Sequence, residues 1–328
     1  MVVLITGAGL IGTWTARQLV AEGHAVVLYD TAPDTNAIGS VVGTDRFTIV
    51  RGDVCDLPAL RTAIERHGVT EVLHTAAVLT IGAKENPSTA ARTNVLGTTT
   101  VLDAARAAQC RRVVVASSAT ISFTACDEQQ GVPAAEDFSM RLLSQRPRSV
   151  YSATKIAAEH LTYIYGDSFG LDAIVLRYGA VLGDWSGPNH SLPGRFLRAL
   201  AWPAMRKEPA VIEEPAFVWR GGEEFIDVRD CARANVLALA AAPGRNRTYT
   251  ISSGRMSTFD DCVAGTRRVF PGLEVDVRCE PSKGFGGYPL TRLTPFDVGA
   301  AKRGLGFEVR HDFEDSVRVF SGFRSLAP

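Results

Sequence analysis

The fold of this 328-residue chain is decided by its opening stretch, Val2-Val3-Leu4-Ile5-Thr6-Gly7-Ala8-Gly9-Leu10-Ile11-Gly12. The apolar run Val2–Thr6 predicts a strand, and a helix is predicted from Gly12 to Glu22. Between them stands the pattern Gly-x-Gly-x-x-Gly, in the strand–turn–helix context that dinucleotide binding requires. Gly7 permits the tight turn, Gly9 lets the backbone approach a pyrophosphate, and Gly12 allows close helix–strand packing. We therefore expect Gly7, Gly9, Leu10, Ile11 and Gly12 to form a cofactor site, with phosphate at the helix N-terminus.

Strands and helices alternate from this stretch as far as residue 178. Further strands are predicted over Ala25–Asp30, Arg46–Arg51, Glu71–Thr75, Arg112–Ser117 and Asp172–Tyr178. Further helices are predicted over Leu57–His67, Ala90–Ala108 and Tyr151–Tyr165. This alternation predicts an α/β fold of the Rossmann type, a doubly wound parallel sheet covered on both faces.

The pattern changes after residue 178. Leu182–Trp219 is rich in Pro, Gly and Trp and has little periodicity. Beyond it, strands are predicted over Phe225–Val228 and Thr248–Ser252, and helices over Met256–Phe270 and Pro295–Leu305. We predict a cofactor-binding domain over residues 1–178 and, over residues 179–328, a smaller C-terminal substrate-binding cap interleaved with the last sheet strands.

Composition excludes several classes of function. Lys+Arg and Asp+Glu both number 35, so no basic excess indicates a nucleic-acid partner. No apolar run reaches the length of a membrane span, and the N-terminus lacks the features of a secretory signal. The six cysteines have no CxxC or other metal-ligand spacing, so we expect no metal. The expectation is a cytoplasmic protein with a small-molecule substrate and no membrane partner.

Acidic and small residues follow the next strands. Asp30 ends the second strand, where a carboxylate can bind ribose hydroxyls and repel a 2′-phosphate, so NAD is favoured over NADP. Asp53 follows the third strand and can accept from the adenine amino group, with Val54 against the ring; a helix cap or a solvated acid is the alternative. Thr75, Ala76 and Ala77 follow the fourth strand, and small residues there let a cofactor pass close to the backbone. His74, just before them, is expected to be structural.

Tyr151 and Lys155 lie four residues apart, on one face of a predicted helix. An ammonium beside a phenol stabilises the phenolate, so we expect the pKa of Tyr151 to fall from about 10 toward neutrality. Such a phenol exchanges protons with an alcohol–ketone pair. Ser118, just past an apolar strand, is the expected third member, although Ser117 is adjacent.

The chain resembles the extended short-chain dehydrogenase/reductase family, in its NAD-dependent epimerase/dehydratase group. The resemblance rests on the order and spacing of several blocks: His74–Ala77, Asn94–Thr98, Ser117–Thr120, Tyr151–Lys155, Leu176–Tyr178, Phe225–Asp230, Tyr249–Gly254 and Leu305–Phe307. It implies bound NAD and a catalytic set in which Ser118 binds the substrate oxygen, Tyr151 exchanges the proton, and Lys155 holds the nicotinamide ribose. It also implies cofactor contacts from Asn94 and Tyr178. A homodimer through the helices Ala90–Ala108 and Tyr151–Tyr165 is a further expectation.

Departures from the family pattern narrow the reaction. Ala119 and Thr120 stand where the dehydratases and decarboxylases of the family carry acids, and Asp127 and Glu128 are more typical of a solvated loop. Nucleotide-sugar enzymes resemble Arg-Asp-(Phe/Tyr)-Ile where this chain has Glu223-Glu224-Phe225-Ile226. Because two carboxylates repel a diphosphate, a smaller hydroxylated substrate is favoured.

Three hypotheses follow. The first is an NAD-dependent oxidoreductase that transfers hydride at a secondary alcohol or ketone of a small sugar-like or sugar-acid-like substrate. The alternative is a nucleotide-sugar epimerase that holds its diphosphate through other residues, such as Arg206 or Arg292. A non-catalytic dinucleotide-binding regulator is disfavoured, because such relatives usually lack the Tyr–Lys pair. Arg195 and Arg198 can hold a carboxylate, but solvated helix residues are the favoured interpretation.

Overall fold

A computed structural model describes residues 1–43, 46–123, 132–138, 144–185, 187–188, 191–244 and 247–325. Asp127 and Glu128 lie outside the described residues, as does part of the Phe123–Ser149 stretch that we expect to shape the substrate pocket. Within the described ranges, no helix combines the length and apolar character needed to cross a bilayer.

The core of the molecule is one seven-stranded sheet in which every neighbouring pair is parallel. The seven strands are β1 (Val2–Thr6), β2 (Ala25–Asp30), β3 (Phe47–Arg51), β4 (Glu71–His74), β5 (Arg112–Ser118), β6 (Ala173–Tyr178) and β10 (Arg247–Ile251). Their order across the sheet is β10-β6-β5-β4-β1-β2-β3. This sheet confirms the predicted Rossmann-type fold.

Helices cover both faces of the sheet. They are α1 (Leu10–Ala21), α2 (Thr35–Val42), α3 (Leu57–His67), α4 (Thr80–Glu85), α5 (Pro87–Ala91), α6 (Gly97–Ala107), α7 (Val150–Phe169), α8 (Leu192–Arg206), α9 (Val228–Ala240), α10 (Phe259–Val269), α11 (Gly299–Leu305) and α12 (Phe313–Ser325). Side chains alternate across each strand, so Val3 and Ile5 join the apolar cluster beneath α1, α2 and α9, whereas Leu4 joins the cluster beneath α3, α6 and α7.

Five of the described helices were not predicted from sequence: α2, α4, α8, α9 and α12. Helix α8 is the most instructive, because Pro193 sits in its first turn, where the missing N–H costs nothing, and Pro203 lies inside it. The predicted single helix Ala90–Ala108 is interrupted by a π-helical turn over Arg92–Leu96, between α5 and α6. That turn carries Asn94, which is buried.

The second half of the chain is joined to the sheet in two ways. β10 adds the edge strand beside β6. Arg112 of β5 is fully buried and donates to the carbonyls that end α9, at 3.0 Å to Ala238, 3.2 Å to Leu239 and 2.5 Å to Ala241. A cation at this position satisfies carbonyls that the helix itself leaves without partners.

A separate apolar cluster lies within the second half. It contains Phe196, Trp219, Phe225 and Phe285 in edge-to-face and stacked contacts. Two short parallel pairs flank it, β7 (Ala180–Leu182) with β9 (Phe225–Asp227) and β8 (Ala210–Ile212) with β11 (Val275–Val277). The division into two domains at residue 178 stays a prediction.

Candidate active site

The glycine turn has the geometry that its three glycines predict. Gly7 adopts a φ of +87°, and a Cβ there would lie 2.5 Å from the amide nitrogen of Ala76. A Cβ on Gly12 would lie 2.1 Å from the carbonyl oxygen of Gly7, so α1 packs directly against the turn. A Cβ on Gly9 meets nothing within 4 Å, and Gly9 is exposed. The turn is therefore closed on its protein side and open where a pyrophosphate would approach the N-terminus of α1.

Other predicted cofactor residues surround this turn. Thr75 donates to the carbonyls of Thr6 and Gly7, at 2.9 Å each, and fixes the turn to the end of β4. Asp30 accepts from the amide of Ala8 at 2.8 Å and from that of Ala32 at 2.9 Å. Its carboxylate thus lies at the carboxyl end of β2, beside the glycine turn. Partly exposed side chains here are those of Leu10 and Ile11, in the first turn of α1, and of Ala76 and Ala77, which follow β4.

Asp53 and Val54 are more constrained than the sequence suggests. The Asp53 carboxylate accepts from the amide of Cys55 at 2.9 Å and from Arg92 at 2.8 Å. The amide hydrogen bond of Cys55 and the Arg92 partner hold the pKa of Asp53 below its usual value. Val54 is buried and packs beneath Gly97. An adenine contact from either residue stays a prediction.

Asn94 and Tyr178 are both buried and hydrogen-bonded to the protein. The Asn94 amide accepts from the backbone of Val78 at 2.8 Å and donates to Thr154 at 3.0 Å, which braces the β4 loop against α7. Tyr178 donates to Asn235 of α9 at 2.5 Å. Both side chains thus hydrogen-bond within the protein, and their expected contacts with the cofactor stay predictions.

His74 also belongs to the scaffold. Its ring nitrogens lie 2.6 Å from Thr6 Oγ1 and 3.0 Å from Thr98 Oγ1. Burial lowers its pKa to about 3, so the ring is neutral. This agrees with the structural role expected for it.

Ser118, Tyr151 and Lys155 come together at the carboxyl end of β5. The Ser118 hydroxyl is near enough to the Tyr151 phenol to lower its pKa, and the Lys155 ammonium lies 5.8 Å from the centre of the Tyr151 ring. Lys155 is buried and donates to the carbonyl of Ala116 at 2.8 Å. Ser149 begins α7 by accepting from the amide of Ser152 at 3.1 Å.

The predicted fall in the pKa of Tyr151 is wrong when only the protein's own groups act on the phenol. Burial raises the pKa of Tyr151 to about 12, and the hydrogen bond from Ser118 only partly opposes it. Burial also lowers the pKa of Lys155 to about 8, with Glu159 acting against the fall. Desolvation penalises both charged forms and outweighs the stabilisation that the ammonium was expected to give the phenolate.

The two carboxylates expected to repel a diphosphate are buried and share one arginine. Arg292 pairs with Glu223 through Nη1 and with Glu224 through Nη2, the latter at 2.9 Å. Its guanidinium carbon lies 4.8 Å from the ring centre of Phe123 and 4.4 Å from that of Phe296. Burial raises the pKa of Glu224 to about 7, although Arg292 opposes the rise. Sequence reasoning missed this cluster, because 68 residues separate Glu224 from Arg292.

The remaining arginines considered from sequence lie on the surface of α8. Arg206 pairs with Glu208 at 3.2 Å and is 57% exposed. Arg195 and Arg198 are exposed and lie over Phe217 and Trp202 of their own region. The favoured interpretation of solvated helix residues agrees with these positions.

The fold and site define a Rossmann-type scaffold that carries a Ser–Tyr–Lys set beside a glycine turn. The chain belongs to the NAD dependent epimerase/dehydratase family, which matches residues 3–252. This confirms the family resemblance, and with it the expectations of an enzyme and of NAD as its cofactor.

The chain is similar to several UDP-sugar epimerases. The chain is 27% identical to a UDP-glucose 4-epimerase of Corynebacterium glutamicum, over 95% of this chain and 92% of that one. It is 30% identical to a UDP-glucose 4-epimerase of Rhizobium meliloti, over 73% and 71% of the two chains. Among solved structures, a UDP-glucose-4-epimerase of Stenotrophomonas maltophila with bound NAD and formylated UDP-arabinopyranose matches with a TM-score of 0.82 and 26% identity. That match covers 100% of this chain and 99% of the other.

Proposed function

We propose that this chain is an NAD-dependent oxidoreductase that transfers hydride at a secondary alcohol or ketone of a small sugar-like or sugar-acid-like substrate. The observation that carries the proposal is the buried cluster of Arg292 with Glu223 and Glu224. Nucleotide-sugar enzymes of the family resemble a pattern with an arginine at the position of Glu223, and that arginine pairs with the substrate diphosphate. Here the position carries a carboxylate, and the nearby arginine is held by two acids.

The net charge of this cluster works against a diphosphate. Two carboxylates and one guanidinium sum to −1 when both acids are ionised, or to zero when Glu224 is protonated. Neither state attracts a group with two negative charges. Arg206, the other arginine considered for this role, pairs with a neighbouring glutamate on the surface of α8. A substrate without a diphosphate needs neither residue.

The residues around the glycine turn fit NAD. The open backbone at Gly9 and the N-terminus of α1 would hold the pyrophosphate, and Asp30 would bind the adenosine ribose. Lys155 would hold the nicotinamide ribose. Bound NAD supplies the hydride acceptor. We further propose residues 1–178 as the cofactor-binding part and residues 179–328 as the substrate-binding part.

The site's own residues handle the proton. With a pKa of about 12, the Tyr151 phenol stays protonated near neutral pH, ready to donate to a ketone oxygen. In the oxidation direction the phenol must first lose its proton, so a neighbouring positive charge is needed. Ser118 donates a hydrogen bond to the same oxygen and steadies the charge that develops there.

An assay at 340 nm with NAD and a panel of sugars, sugar acids and nucleotide-sugars tests the proposal. Release of NADH with a small hydroxylated compound supports it. Tyr151→Phe should abolish that release. Tyr165→Phe is the control: Tyr165 lies on α7 like Tyr151, but its hydroxyl binds Asp103 of α6, so this variant should retain NADH release. Turnover of a UDP-sugar with no NADH release would establish the second candidate.

That second candidate is a nucleotide-sugar 4-epimerase with transiently reduced NAD. The names of the relatives favour it, since UDP-glucose and UDP-glucuronate 4-epimerases recur among them. It requires a diphosphate-binding group other than Arg206 and Arg292. Its direct test is interconversion of UDP-glucose and UDP-galactose, followed by chromatography.

We also propose a homodimer through α6 and α7. Leu96 and Ile164 are each 52% exposed, and Phe169, at the end of α7, is equally so. Leu96 ends the π-helical turn that leads into α6, and Ile164 and Phe169 lie on α7. These are the segments through which the family often dimerises. Scattered apolar residues are ordinary on a surface, but a group of them on two adjacent helices is typical of an interface.

A further inference from the structure

The hydroxyl of Ser118 receives two hydrogen bonds from a single residue. The amide of Thr120 donates to Ser118 Oγ at 3.3 Å, and the Thr120 hydroxyl donates to the same atom at 3.0 Å. A serine hydroxyl has two acceptor positions and one proton. Because both acceptor positions are used, the single Ser118 proton points away from Thr120 and is free for an oxygen in the site.

The series of hydroxyls continues beyond Thr120. Ser152 Oγ donates to Thr120 Oγ1 at 3.3 Å. Ser149 Oγ lies 2.9 Å from Ser152 Oγ, and since the Ser152 proton is already given to Thr120, Ser149 is the donor. The series therefore runs from Ser149 through Ser152 and Thr120 to Ser118, with every proton pointing toward the reacting oxygen.

We propose that Thr120 and Ser152 are positioning residues that fix Ser118 as a hydrogen-bond donor. Hydrogen bonds in series polarise one another, so each upstream hydroxyl makes the last one a better donor. The series begins at the N-cap of α7, the helix that carries Tyr151 and Lys155, and ends on the turn after β5. It therefore joins the two elements that hold the catalytic set. The inference rests on the proposed Ser–Tyr–Lys chemistry but not on the identity of the substrate.

The test uses Thr120→Val, which keeps the shape of the side chain and removes its hydroxyl. Loss of one supporting hydrogen bond is expected to lower kcat about tenfold, with the KM for NAD unchanged. In the oxidation direction the Tyr151 phenol must lose its proton, so its pKa sets the rising, acidic limb of the kcat–pH profile. That limb should move to higher pH, because a weaker Ser118 donor stabilises the phenolate less. Thr120→Ser should restore kcat to within about threefold of the wild type, and Ser152→Ala should give a smaller fall than Thr120→Val.

Ser117→Ala is the matched control. Ser117 is the buried neighbour of Ser118, and its hydroxyl has no hydrogen-bond partner among the described residues, so its removal should leave kcat unchanged. A Thr120→Val enzyme with wild-type kcat and pH profile overturns the inference, as does a Thr120→Ser enzyme as slow as Thr120→Val. All variants are assayed with the most active compound of the panel. If that compound is a nucleotide-sugar, the proposed substrate class fails while the comparison at Thr120 still decides this inference.

Discussion

Replacing Arg292 with leucine should destabilise the fold by an amount that depends on pH. The substitution leaves Glu223 and Glu224 buried without their shared cation, and breaking a buried pair costs about 3–5 kcal/mol. A chain of 328 residues has an unfolding entropy of about 0.7 kcal/mol/K at about 2.1 cal/mol/K per residue. The melting temperature should therefore fall by about 4–7 °C.

The pH dependence follows from the raised pKa of Glu224. This pKa lies at about 7 in the folded protein, against an ordinary value of 4.5. A carboxyl with a raised folded pKa stabilises the fold below its unfolded pKa, and that contribution is lost as pH rises through the folded pKa. Removing Arg292 takes away the attraction that opposes the rise, so the pKa of Glu224 moves further upward. The deficit of the variant should therefore be larger at pH 8 than at pH 6.

Thermal unfolding followed by circular dichroism at the two pH values measures this effect. Arg268→Leu is the control: it breaks the exposed pair of Arg268 with Glu314, which should shift the melting temperature by less than about 2 °C. Adding Glu223→Leu and Glu224→Leu to Arg292→Leu should recover most of the loss, because no buried charge then remains. A deficit below 1 °C that is equal at pH 6 and pH 8 would refute the reasoning.

Three further predictions address the cofactor and the assembly. Gly9→Ala should weaken NAD binding but leave the melting temperature of the cofactor-free chain nearly unchanged. Gly12→Ala should lower that melting temperature, because its Cβ is forced against the Gly7 carbonyl. Scanning calorimetry separates the two variants, and equal melting temperatures would contradict this account. Asp30→Asn should raise the NADP-to-NAD ratio of kcat/KM about tenfold, from loss of one charged hydrogen bond, and an unchanged ratio argues against ribose binding at this carboxylate. Leu96→Asp should convert a dimer into a monomer, as measured by light scattering. If the wild type and the variant have the same mass, the proposed α6–α7 interface is contradicted.

The sheet was predictable from sequence because its inner strands are buried on both faces. Short apolar runs with β-branched residues, separated by helical stretches, leave few alternatives to a parallel sheet. The glycine turn was predictable for a similar reason, since a positive φ at Gly7 and the contact at Gly12 tolerate no side chain. In both cases the constraint acts within a few residues of the chain.

What escaped prediction depends on contacts between distant residues or on burial. The acidic pair was expected to repel a diphosphate, but its burial and its pairing with Arg292, 68 residues further along the chain than Glu224, were not predicted. The pKa of Tyr151 was expected to fall because of Lys155, but burial acts on both groups and no sequence pattern measures burial. Helix α8 was missed because proline usually ends a helix, yet Pro193 occupies its first turn.

The carbonyls at the end of α9 are satisfied by Arg112, a residue that belongs to the first half of the chain. A fragment ending at residue 178 would keep the pair of Arg112 with Asp172 but lose the α9 carbonyls that this guanidinium also binds, and it would leave β6 as a bare edge. We therefore expect the first half of the chain to be unstable without α9 and β10. Grafting a new specificity onto this scaffold would need to retain α9 and β10 with the host and exchange only the segments between and beyond them.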